Sequence, residues 1–112
     1  MHAEKRRAPR VEIHQLVSFE IGRENMYSAR AINVSSTGIL CLLKRPIDLY
    51  ARVYISFSIK VKNQDKLISS EGVVMRCDPN GENYDWGIEF YELSEHNKEI
   101  LVAYTKSVQH GH

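Results

Sequence analysis

The sequence predicts an all-β fold, a six-stranded antiparallel β-barrel with one C-terminal α-helix, and three observations carry that expectation. Apolar and polar residues alternate with period two in short runs between Val11 and Tyr91, most cleanly in "RVYISFSIKVK", the pattern of strands that bury one face. The runs are separated by brief polar or Gly/Pro breaks, "NVSST", "KNQD" and "DPNG", which suit tight reversals and therefore antiparallel neighbours. Six such strands would leave sticky edges unless the sheet closed on itself. At 112 residues the chain can bury one core and not two.

In the first strand, residues 11–22, Val11, Ile13, Val17, Phe19 and Ile21 share one face, and Gly22 ends the run. A second strand covers residues 26–32, and a third is "GILCLL". The fourth is residues 52–62, where Val53, Ile55, Phe57, Ile59 and Val61 point one way. A fifth, residues 67–77, carries Gly72 where a bulge or bend would be convenient. Residues 78–81, "DPNG", predict a turn, with Pro79 presetting φ and Asn80 and Gly81 tolerating a left-handed backbone. The sixth strand, "YDWGIEFY", places Trp86, Ile88 and Phe90 on the core face. Past Leu93 the period becomes helical: Ser94 is a good N-cap and Ile100, Leu101, Tyr104 and Val108 form an apolar stripe over residues 94–109. One domain results: a flexible basic arm over residues 1–10, a barrel over 11–93 and a helix over 94–109.

Composition narrows the function classes. Hydrophobic residues at 43% and charged residues at 26% are globular values. Fifteen Lys+Arg against fourteen Asp+Glu give a net charge of only +1, so the chain is no polycation and any anion site must be local. Cys41 and Cys77 read as small buried hydrophobes in a reducing compartment. His2, His14, His96, His110 and His112 show no metal-ligand spacing, and no metal or cofactor is expected. No nucleophile stands with a base, which argues against an enzyme. No apolar run approaches the ~18 residues of a membrane span. Glu12, His14 and Gln15 interrupt what would be a signal-peptide core, so a cytoplasmic protein is expected.

Two stretches could carry chemistry. In "KRRAPR", Lys5, Arg6, Arg7 and Arg10 concentrate positive charge beside Pro9, immediately ahead of the first strand. Such a run is either a solvated tail or an anion grip. Arginine's planar fork suits phosphate and the O6/N7 edge of guanine. In "NVSSTG", Asn33 and Ser35 are two apart on extended chain and so share a face. The loop is either a plain turn, with Gly38 at positive φ, or a site where an amide and a hydroxyl read a base edge.

Arg6 and Arg10 form R-x-x-x-R, and Asn33, Ser35 and Gly38 form [D/N]-x-S-x-x-G. Together these resemble the paired signatures of the PilZ domain, a bacterial receptor family for cyclic di-GMP. "VEIHQLVSFEI", "GILCLL", "EGVVMR" and "WGIEF" resemble the family's barrel strands. R-x-x-x-R alone is common by chance; both motifs, in order within a six-stranded pattern, are specific. The resemblance implies a PilZ-like split barrel in a stand-alone, single-domain member. Arg6 and Arg10 would grip phosphates and the Hoogsteen edge of guanine, with Arg7 beside them and Lys5 and Ser36 as auxiliaries. Asn33 and Ser35 would contact guanine, and Gly38 would let the backbone turn close to the ligand. The implied function is a cyclic di-GMP receptor or adaptor that changes its surface to regulate an unidentified effector protein, without membrane insertion. Two other readings stand beside it: a protein-interaction module of the same fold whose basic arm binds an acidic partner, and an OB-like single-stranded nucleic-acid binder. The mixed charge of the exposed strand positions disfavours nucleic acid.

Overall fold

The computed structural model describes residues 10–13, 15–22 and 25–110. Seven strands, β1 (Val11–Glu12), β2 (Leu16–Ile21), β3 (Asn25–Val34), β4 (Gly38–Leu43), β5 (Arg52–Val61), β6 (Gln64–Asn80) and β7 (Asn83–Tyr91), precede α1 (Glu95–His110). All pairings are antiparallel in the order β1-β3-β2-β5-β6-β7-β4, and β4 also pairs with β3. Six strands thus close into a barrel and β1 lies outside the ring.

The alternation read from the sequence is the alternation of burial. Val11, Ile13, Val17 and Phe19 are buried, as are Val53, Ile55, Phe57 and Ile59. Trp86 fills the barrel centre with no exposure, its ring 5.6 Å from that of Phe19 at a tilt of 53°. Tilted aromatic pairs of this kind add about 0.5–1.5 kcal/mol beyond burial. Its indole Nε1–H donates to the Arg45 carbonyl at 2.9 Å, so the buried donor is satisfied. Phe57 and Phe90 stack with ring centroids 6.3 Å apart. Ser94 caps α1 as expected, its Oγ accepting from the Asn97 amide at 3.0 Å. The helix buries Leu101 completely and packs across β5, β6 and β1.

Four local expectations need correction. The first strand is two strands, because the register changes by one residue between Val11↔Val34 and Leu16↔Arg30. The break lies opposite Ile32, the residue bulged out of the β3–β4 ladder between Ala31 and Asn33, and a bulge bends the strand that carries it. The β6–β7 turn falls at Gly81–Glu82 rather than across residues 78–81, with Asp78 and Pro79 still paired to Asp85 and Tyr84. Pro79 is tolerated there because β6 loses its β5 neighbour beyond Val73 and needs no amide on that side. The β6 bulge sits between Val74 and Arg76 instead of at Gly72. Gly72 is required for another reason: a Cβ there would stand 2.6 Å from Ile88 Cγ2.

Gly38 is the fourth. Positive-φ glycines among the described residues are Gly22 and Gly81, not Gly38. Gly38 opens β4 so close to β7 that a Cβ would lie 2.5 Å from the Ile88 carbonyl oxygen, a backbone atom that cannot move aside without shifting the ladder. Gly38→Ala should therefore cost about 1–3 kcal/mol through overpacking, read as a lowered urea midpoint; an unchanged midpoint contradicts the close approach.

The β5–β6 hairpin turns at Lys62 and Asn63, both left-handed, with φ of 52° and 66°. This is the two-residue reversal for which Asn-Gly is the favoured pair. Installing it by Lys62→Asn with Asn63→Gly should raise stability by about 0.5–1 kcal/mol, measured by chemical denaturation; a lowered midpoint would mean the hairpin is formed differently.

Candidate functional site

β1 exists to place Arg10. Val11 and Ile13 are buried at 6% and 3% exposure, and Glu12 pairs with Asn33 at the end of β3. Side chains two apart on extended chain share a face, so Arg10 stands on the side of the short strand that Asn33 occupies. Its Nη1 donates to Asn33 Oδ1 at 2.9 Å across 23 residues of sequence. The last residue of one motif and the first of the other therefore meet.

The loop between them and β4 is held from within. Ser35 is 1% exposed, and its Oγ accepts from the Thr37 amide at 3.1 Å and the Gly38 amide at 3.2 Å while lying 3.1 Å from Thr37 Oγ1. The Ser35 amide donates to the Gly38 carbonyl at 2.9 Å, and the Phe90 amide donates to the Thr37 carbonyl at 2.9 Å. Strand geometry stops at Val34, so Asn33 and Ser35 do not act as a side-by-side pair: Asn33 reaches Arg10, whereas the Ser35 hydroxyl is spent on the loop's own amides, a local side-chain cap. Ser36 is half-buried and Thr37 exposed on the same loop.

Beside this loop a groove of about 200 Å³ is lined by Arg10, Thr37 and Gly38 on one wall and by Met75, Arg76 and Glu89 on the other. Met75 and Arg76 reach it because of the β6 bulge, which re-aims side chains that strict alternation would have directed elsewhere. Arg76 Nε lies 2.7 Å from Asp78 Oδ2. The opposite wall was not anticipated from the sequence, which suggested a bulge at Gly72 and not the one between Val74 and Arg76 that re-aims these side chains. Gly87 admits Arg76, whose Cβ would be 3.2 Å from a Cβ on that glycine.

Lys5, Arg6 and Arg7, and the arm expected over residues 1–10 except for Arg10, lie outside the described residues. Among the described residues no three His, Cys, Asp or Glu side chains gather as a metal site, and no helix is long and apolar enough to cross a membrane. Cys41 is buried and Cys77 half-buried, both as free thiols; burial pushes the Cys41 thiol well above its usual range.

Known proteins were compared with this arrangement. The fold is similar to that of Bacillus subtilis Inhibitor of motility (MotI/DgrA), with a TM-score of 0.85 at 20% identity, covering 95% of this chain and 52% of that one. It is similar to the PilZ domain with c-di-GMP of YcgR from Escherichia coli, with a TM-score of 0.72 at 13% identity, covering 96% of this chain and 94% of that domain. A K. pneumonia MrkH-c-di-GMP complex gives a TM-score of 0.71 at 13% identity, covering 96% and 53%. The chain thus spans about half the length of the first and third of these proteins. A comparison with curated protein sequences yields no match. The family profile described as PilZ domain matches residues 4–107, a span that takes in both motifs, the closed barrel and nearly all of α1, and the chain belongs to the PilZ domain family.

Proposed function

We propose that this chain is a receptor for cyclic di-GMP, a binding protein rather than a catalyst, and that it acts by presenting a changed surface to an effector protein. The observation that carries the reading is the hydrogen bond between Arg10 and Asn33 at the mouth of the groove. Family membership and the c-di-GMP named with the YcgR domain and with MrkH support it.

In this reading Arg10 and Arg6 take the phosphates and the Hoogsteen edge of guanine, with Arg7 and Lys5 adding charge from the same segment. Asn33 orients Arg10 before the ligand arrives and offers its amide to the base. Ser35 contributes by shaping the loop, and Gly38 by keeping the groove wall thin enough for close approach; Ser36 is an auxiliary on the rim. Arg10 directly precedes the buried Val11 of β1 and is already hydrogen-bonded to Asn33, so part of its positioning entropy is lost before binding. Charge-assisted hydrogen bonds net roughly 1.5–3 kcal/mol each, and micromolar affinity needs only about 8 kcal/mol. Three or four such contacts are enough.

Calorimetric titration with cyclic di-GMP, with GTP and GMP as controls, tests the proposal. Saturable binding to cyclic di-GMP is expected, and Arg10→Ala and Asn33→Ala should each weaken it by at least about tenfold, equivalent to 1.4 kcal/mol, without changing the thermal midpoint. A protein-interaction module that ignores nucleotides would give no heat with any of the three, and unchanged affinity in both variants would dismiss the assigned residues.

A further inference from the structure

The β3–β4 ladder that bears Asn33 and Gly38 at one end bears a second, larger groove at the other, of about 550 Å³. Leu16 pairs with Arg30 across β2–β3, and Arg30 pairs with Leu42 across β3–β4, so aliphatic, cationic and aliphatic side chains stand in one row on the outer wall. Leu16 is 74% exposed, far more than a core leucine. Lys44 and Arg45 follow β4 and line the same groove.

Its charge is unbalanced. Arg30 and Lys44 have no ion pair or side-chain hydrogen bond among the described residues. Arg45 is held at both ends: its guanidinium lies 4.5 Å from the Tyr27 ring centroid and donates to the Tyr27 hydroxyl, while its carbonyl accepts from the Trp86 indole. Three cations thus share one concavity in a chain whose net charge is +1. Asp85, opposite Leu42 on β7, accepts a hydrogen bond from Asn80 at 3.1 Å.

We propose that this groove is a docking surface for an acidic protein segment with aliphatic side chains between its carboxylates. Cations alone would suit any polyanion, but exposed Leu16 on one side of Arg30 and half-buried Leu42 on the other suit an occupant that is apolar as well as anionic. A single-stranded nucleic acid needs open aromatic faces, and the half-buried Tyr27 ring already carries Arg45. A polybasic membrane contact uses roughly four to eight cations on a convex or helical surface. The proposal is independent of the nucleotide reading, because none of these residues lines the groove at Arg10.

The test is titration of the isotope-labelled full chain with a synthetic peptide of Glu-Glu-Leu repeats, followed by amide chemical shifts. Shifts centred on Leu16, Arg30, Leu42 and Lys44 are expected. Arg30→Glu with Lys44→Glu should weaken the peptide at least about tenfold and create affinity for a Lys-Lys-Leu peptide, while circular dichroism stays that of the parent. Leu16→Ser, at an exposed position, should also weaken it. Equal binding of a Gln-Gln-Leu peptide, shifts centred elsewhere, or a response to phosphatidylglycerol vesicles or oligo-dT stronger than to the acidic peptide would each overturn the proposal.

Discussion

Closure of the barrel runs through β4, which is hydrogen-bonded to β3 on one side and to β7 on the other, and the candidate site hangs on the way the chain enters that strand. Gly38 must pass against the Ile88 carbonyl with no room for a side chain. The turn ahead of it must then be short, and Ser35 makes it so by accepting two amides of its own loop. Thr37 is stapled to β7 through Phe90. A single geometric demand, the approach of two backbones, therefore dictates a glycine, a buried hydroxyl and a fixed loop, and it delivers Asn33 and the groove wall as by-products of closure. Loss of that approach would open the ring and the site together.

Irregularities in the sheet occur where the site needs them. The extra residue at Ile32 bends β3 just before Asn33, and β1 breaks from β2 opposite the same point. The extra residue at Met75 turns Arg76 toward the groove from the far side. A regular barrel would bury or splay these side chains by strict alternation; the two bulges, in strands separated by β4 and β7, re-aim them. The cost is a ladder bond forgone at each bulge, offset by a core in which Trp86, Phe19 and Leu101 are fully buried.

Much of this was legible in the sequence because burial imposes a period. The face read from Val11 to Ile21 and from Val53 to Val61 is the buried one in the structure, or in Ile21 and Val61 packed against it, and the Ser94 cap follows from its hydroxyl and the helical spacing beyond it. The motif resemblance places Arg10 and Asn33 in one site, and the two side chains are hydrogen-bonded in the structure. What escaped was everything set by pairing rather than by period. Parity is preserved through 11, 13 and 17 even though the strand breaks between them. Pro79 looks like a turn residue until β6 is seen to have only one neighbour there. Ser35 has the parity of Asn33 but not its direction, because the strand has already ended. Arg76 and Met75 belong to a wall that only the β6–β7 register reveals.

Positive charge is local in this nearly neutral chain. Along β3 and β4 the cations lie at the two ends, Arg10 over Asn33 at one and Arg30, Lys44 and Arg45 at the other, with the buried Ala31–Cys41 pair between them. A core packed to this degree has one low-energy arrangement and transmits strain instead of absorbing it, and coupling between distant sites requires an element with two. The two grooves flank the Ala31–Cys41 pair and share no lining residue, so they are separately addressable faces of one barrel.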